Sequence, residues 1–181
     1  MSSGIAELRG RLTRRRLLGL GVGVGALTLL GGAGWLVSVP SPASGRVVLS
    51  EAEAELLTRL GEVWFPPGNP LGVAAADVDL AQGLDEVLSS FTAREQRVLH
   101  VLLRALDQFP RATLRSSTRF RELPLEERRA LLVEWEGSLG PKRQLAGLLR
   151  ILVGIPFFED ERVRLAIGHQ FGCPLPLPVT G

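Results

Sequence analysis

The chain has 181 residues, with 21 lysines and arginines against 19 aspartates and glutamates, a formal charge of +2 and an isoelectric point near 9.4. That basicity belongs to the N-terminal segment: removing the five arginines and one glutamate of residues 1–43 leaves 16 basic against 18 acidic residues, a net of −2. The remainder has no electrostatic claim on nucleic acid. One cysteine and two histidines leave no material for an internal disulfide framework, a multi-thiolate metal or cluster site, or a Cys-x-x-Cys-His haem attachment.

The first feature along the chain is Thr13-Arg14-Arg15-Arg16-Leu17-Leu18, opening an uncharged run from Leu17 to Val39. An arginine pair, Arg14 and Arg15, one free position and the leucines Leu17 and Leu18 have the layout of a twin-arginine export signal. Seven glycines between Gly19 and Gly34 keep the run only moderately hydrophobic, as such signals are. The alternative is a retained anchor helix, since about 23 residues at about 1.5 Å each cover a bilayer core of about 30 Å. The five arginines before the run place its N-terminus in the cytoplasm in both cases. Ser41-Pro42-Ala43 is a weak version of a small-residue cleavage site, and removal is favoured over retention. The predicted location is the periplasm, or the periplasmic face of the inner membrane if residues 17–39 are kept.

Residues 1–43 are thus the signal, residues 44–49 a linker, residues 50–173 a folded domain and residues 174–181 a proline-rich tail. About 138 residues beyond the signal suffice for one compact domain with its own core. Ser50 and Glu53 form a capping box that starts a helix with Leu56, Leu57, Leu60, Val63 and Trp64 on one face. Phe65-Pro66-Pro67-Gly68 stops it. A second helix is predicted over Ala75–Ser90. Thr92 and Glu95 cap a third that runs to Phe109, predicted to be the central helix, with Pro110 breaking it. Pro124 suits the first turn of a fourth, with Leu131, Leu132 and Trp135 inward. A fifth starts at Pro141 and is predicted to break at Gly154-Ile155-Pro156. Asp160 is the expected cap of a last short helix, Glu161–Ile167, and Pro174–Pro178 reads as extended and polyproline-like. The fold class is all-α, a single compact domain of five or six helices.

No set of residues reads as catalytic, cofactor-binding or metal-binding. There is no Gly-x-Ser-x-Gly elbow, and the glycine alternation in the signal lacks the preceding strand that a phosphate loop needs. His100 lies among apolar residues of the third helix and reads as a satisfied core histidine. His169 reads as a helix-end histidine near the last carbonyls. Glu159-Asp160-Glu161 reads as helix-start carboxylates favoured by the dipole. Arg111, Arg115 and Arg119 are spaced by four and would share one face of a helix, either solvated or turned to an acidic partner. Cys173, between Gly172 and Pro174, is either an intermolecular disulfide or a free thiol.

Three stretches together resemble the gluconate 2-dehydrogenase subunit 3 family: Leu49-Ser50-Glu51-Ala52-Glu53, Trp64-Phe65-Pro66-Pro67-Gly68, and Phe157-Phe158-Glu159-Asp160-Glu161-Arg162-Val163 leading to Ile167-Gly168. The likeness spans roughly Leu49 to Pro174, and the chain departs from it at His169-Gln170-Phe171. The resemblance implies a non-catalytic small subunit that supports maturation and co-export of a flavin-dependent, glucose–methanol–choline type large subunit. It implies FAD in that partner, none in this chain, and a cytochrome c subunit as a further associate. The twin-arginine translocase would carry the pair. Cys173, Arg111, Arg115, Arg119, Phe157 and Phe158 are the candidate partner contacts. A helical adaptor or ligand-binding domain unrelated to any dehydrogenase is the alternative.

Overall fold

A computed structural model describes residues 39–113 and 117–168. Arg14, Arg15, Leu17, Leu18, the 17–39 run except Val39, Arg115, His169, Cys173 and the tail lie outside the described residues. Among the described residues the fold is all-α: α1 (Glu51–Trp64), α2 (Leu80–Ser89), α3 (Ala93–Ala112), α4 (Leu125–Gly137), α5 (Pro141–Glu159) and α6 (Glu161–Ala166). Two 3-10 turns, Ala75–Asp77 and Phe120–Glu122, sit in the connections. No helix among these residues is long and apolar enough to cross a membrane.

Helix α1, rather than α3, is the central one. It touches α2, α3, α4, α5 and both 3-10 turns, and seven of its 14 residues are buried. Helix α3 is longer, but only seven of its 20 residues are buried, and the rest are half-buried or exposed. The core that results joins Leu56, Leu57 and Leu60 of α1 to Leu80, Leu84 and Leu88 of α2. Leu103 and Leu106 of α3, Trp135 of α4 and Leu149, Val153 and Phe157 of α5 complete it.

Three boundaries differ from expectation. The second helix starts at Leu80, not Ala75, because Asp79 takes the cap position and its side chain accepts from the Gln82 N–H at 3.0 Å. Helix α3 continues through Pro110 to Ala112, and α5 continues through Pro156 to Glu159. Each proline lies in the last turn of its helix, where it removes a single backbone bond, and both are buried. Pro156 also serves as a packing surface: a Cβ built on Gly83 of α2 would come within 2.7 Å of Pro156 Cβ. The folded unit also begins before Ser50. Val48 and Leu49, expected in the linker, are buried, and the Asp85 carboxylate accepts the N–H groups of Val47, Val48 and Leu49 at 2.8, 2.9 and 2.7 Å.

Helices α1 and α2 meet at a second glycine. A Cβ on Gly61 would collide with Leu80 Cδ1 and lie 2.8 Å from Ala75 Cβ, whereas one on Gly147 of α5 would meet nothing within 4 Å. Alanine is the better helix former by about 1 kcal/mol, so space decides the sign. Gly61→Ala is expected to lower unfolding stability by about 1–3 kcal/mol through overpacking. Gly147→Ala should raise it by up to about 1 kcal/mol. Urea unfolding of the two variants measures the contrast.

Candidate functional site

The most deeply buried polar contact joins α1 to α3. His100 Nδ1 lies 2.8 Å from Glu53 Oε1, and both side chains are under 5% exposed. The other carboxylate oxygen, Oε2, accepts from the Ser50 N–H at 2.9 Å and the Ser50 hydroxyl at 2.7 Å. One carboxylate therefore closes the start of α1 and receives the α3 histidine. Burial pushes the Glu53 carboxyl up, but the hydrogen bonds from His100 and Ser50 outweigh it and hold the group below its ordinary value of 4.5. The ionised carboxylate accepts only, so the proton of this contact sits on Nδ1.

The other buried ionisable groups are each held by their own partners. Arg128 of α4 donates from Nη2 to Glu62 Oε2 at 2.8 Å, from Nε to the Leu123 carbonyl at 3.1 Å, and from Nη1 to the Arg59 carbonyl. Asp107 of α3 accepts the Arg121 N–H at 3.4 Å. Burial pushes its carboxyl up, with the Arg121 charge acting in the opposite direction. Among the described residues, no group of three metal-ligating side chains comes together.

The sequence-predicted contact residues separate on this framework. Arg111 and Arg119 do not share a helical face, because α3 ends at Ala112 and Arg119 stands ahead of the Phe120–Glu122 turn. They converge on one acid instead: Arg111 Nη2 and Arg119 Nε lie 3.7 and 3.9 Å from Glu122. The Arg119 backbone N–H, helped by these guanidinium groups, holds the Glu122 carboxyl below its ordinary value. Arg121 adds contacts to Glu55 at 3.5 Å and Asp107 at 3.9 Å. This is charge neutralised within the chain, not a basic strip.

Phe157 is fully buried, its ring stacked on Phe65 with centroids 3.8 Å apart, so it is a core residue and not a surface contact. Phe158 is 45% exposed and meets Phe65 and Phe157 edge-on at 5.6 and 5.4 Å. It is the candidate that the fold presents to solvent, held by two rings behind it. Asp160 caps α6, accepting the Arg162 N–H at 2.9 Å and pairing with its guanidinium, which accounts for the aspartate of Phe-Phe-Glu-Asp-Glu. Sequence reasoning assigned Glu53 to a cap and His100 to the core, but 47 positions separate them and no local pattern links the two.

No protein-family model matches the chain, and no curated protein or solved structure matches it either.

The buried pair has a defined pH signature. A carboxyl whose folded value lies below its unfolded one contributes stability above about pH 4.5, and loses it as pH falls through the folded value. Asp107 acts in the opposite sense, since a raised carboxyl binds its proton more readily in the folded state. Glu53→Gln is therefore expected to lower stability at pH 7 by about 3 kcal/mol, and to flatten the stability loss below pH 4.5. Urea unfolding of both proteins at pH 7 and across the acid range checks both parts.

Proposed function

We propose that this chain is a non-catalytic small subunit of an exported oxidoreductase complex, and that it accompanies a flavin-dependent dehydrogenase large subunit through the twin-arginine translocase. The observation that carries the proposal is a sequence with the layout of a folded-export signal in front of a domain whose described buried ions are engaged within the domain. Glu53 is held by Ser50 and His100, Asp85 by three backbone N–H groups, and Arg128 by Glu62 and two carbonyls. Groups so engaged hold helices together, and nothing in their geometry aims them at a substrate. A route for folded cargo suits a partner that acquires FAD in the cytoplasm. The resemblance over Leu49–Pro174 names that partner class, a glucose–methanol–choline type enzyme handling sugars or alcohols, with a cytochrome c subunit as electron acceptor.

In this reading FAD belongs to the large subunit, and the small subunit supplies the export signal and a docking surface in the periplasm. If the 17–39 run is retained, it also holds the complex at the membrane. A chain tagged and isolated from native membranes is expected to bring down a yellow flavoprotein. Replacing Arg14 and Arg15 by lysine should leave that flavoprotein in the cytoplasm. Export of the enzyme at the normal level without the arginine pair, or in the absence of this chain, would refute the proposal.

A further inference from the structure

The outer face of α5 places exposed apolar and cationic side chains side by side. Arg143, Gly147, Arg150, Ile151, Gly154 and Phe158 fall within an arc of roughly 80–120° on a helix of 3.6 residues per turn. All of them are exposed except Gly154, which is half-buried, and Ile151 and Phe158 are 48% and 45% exposed. The opposite side of α5 carries Leu149, Leu152 and Val153 into the core. The stripe is therefore not a misplaced core face.

Two properties give the face a direction. It is cationic: Arg143 and Arg150 stand one above the other, seven residues apart, and α5 carries no acidic residue before Glu159. Nearby Lys142 is paired with Glu134 at 3.4 Å, and the Arg111–Arg119 cluster is paired with Glu122. Arg143 and Arg150 make no ion pair among the described residues. The face is also open: a Cβ on Gly147 would meet nothing within 4 Å, and one on Gly154 would touch only the Phe158 ring at 3.9 Å. Phe158 is backed edge-on by Phe65 and Phe157.

We propose that this face of α5 is the docking site for the exported partner, which meets it with a segment bearing apolar side chains flanked by aspartate or glutamate. The inference rests on the small-subunit reading and adds the surface and its chemistry. Charge complementarity selects the partner: unpaired arginines beside an apolar ridge match an acidic segment, while the remainder of the exported chain is net negative. The same negative charge works against an anionic lipid surface.

The test uses the full-length tagged chain in its native host. The variants are Arg143→Glu with Arg150→Glu, Ile151→Glu, and a charge-matched control, Arg94→Glu with Arg97→Glu on the exposed side of α3. Ile151 is also replaced by a photo-crosslinking phenylalanine analogue. All altered side chains are exposed, so the melting temperature is expected to stay within about 2 °C of wild type. The α5 variants should retain at least about tenfold less flavoprotein, while the α3 control retains it fully. The crosslink should fall in an acidic segment of that flavoprotein.

Flavoprotein retained undiminished by both α5 variants overturns the docking face and leaves the small-subunit reading standing. A crosslink to an acidic segment of a protein without flavin, lost on charge reversal, supports the face and overturns the flavin reading. A crosslink to a second copy of this chain overturns the docking proposal in favour of self-association. Binding to phosphatidylglycerol-containing vesicles that the arginine reversal abolishes, with no protein crosslink, overturns it in favour of a membrane surface. Neither flavoprotein nor crosslink overturns both.

Discussion

The carboxylate of Glu53 is the contact on which the rest of the domain depends. It sits at the first turn of α1, the helix that every large element touches except α6, and its two oxygens face in different directions. One stabilises the α1 start through Ser50, and the other fixes α3 through His100. Hydrogen bonds from both sides compensate the cost of burying a charge there, and leaving either partner out would expose the whole desolvation penalty. Asp85 acts in the same way from α2, gathering three successive N–H groups of the entering segment so that Leu49 is seated in the core before α1 begins. The interior thus uses its few charged groups as fasteners between helices that would otherwise meet only through leucines.

In the proposed reading the surface, not the interior, carries the function. In a catalytic site a titratable group is typically poised against an open cleft, with a displaced pKa matched to a proton transfer. Here the Glu53 carboxyl is lowered by partners that close it off, with His100 facing it from a buried position, and the Asp107 carboxyl, raised by burial, lies against Arg121. Among the described residues, Arg143 and Arg150 make no ion pair and stand with the exposed Ile151 and Phe158 along one helix. One side of α5 completes the core against α2 and α4, and the other is exposed.

Local signals in the sequence located the elements well. Ser50 with Glu53, Thr92 with Glu95, and Asp160 each mark a helix start that the fold retains, and the leucine spacing identifies the inward faces of α1, α3, α4 and α5. Prolines misled at two ends. Pro110 and Pro156 read as breakers because the rule weighs the lost donor and not the burial gained when the ring packs in a final turn. The centre of the fold was misplaced for a related reason: α3 is longest and most strongly patterned, but centrality comes from how many neighbours a helix has, which spacing within one helix does not encode. Contacts across long separations were not legible at all. Glu53 with His100, Asp85 with Val47–Leu49, Glu62 with Arg128, and the glycine approaches at Gly61 and Gly83 appear only once the helices are packed. Of the proposed contact residues, Phe157 and Phe158 are adjacent and chemically identical, and only their helical positions separate core from surface.

A double-mutant cycle on Glu53→Gln and His100→Gln, followed by urea unfolding at pH 7, tests the centre of this account most directly. Two groups that fasten α1 to α3 should show a coupling energy of about 1–3 kcal/mol, with the double variant less destabilised than the sum of the singles. Additive losses, agreeing within about 0.5 kcal/mol, would contradict it: the pair would then be two neighbours in the core, and the helices would be held by their apolar contacts alone.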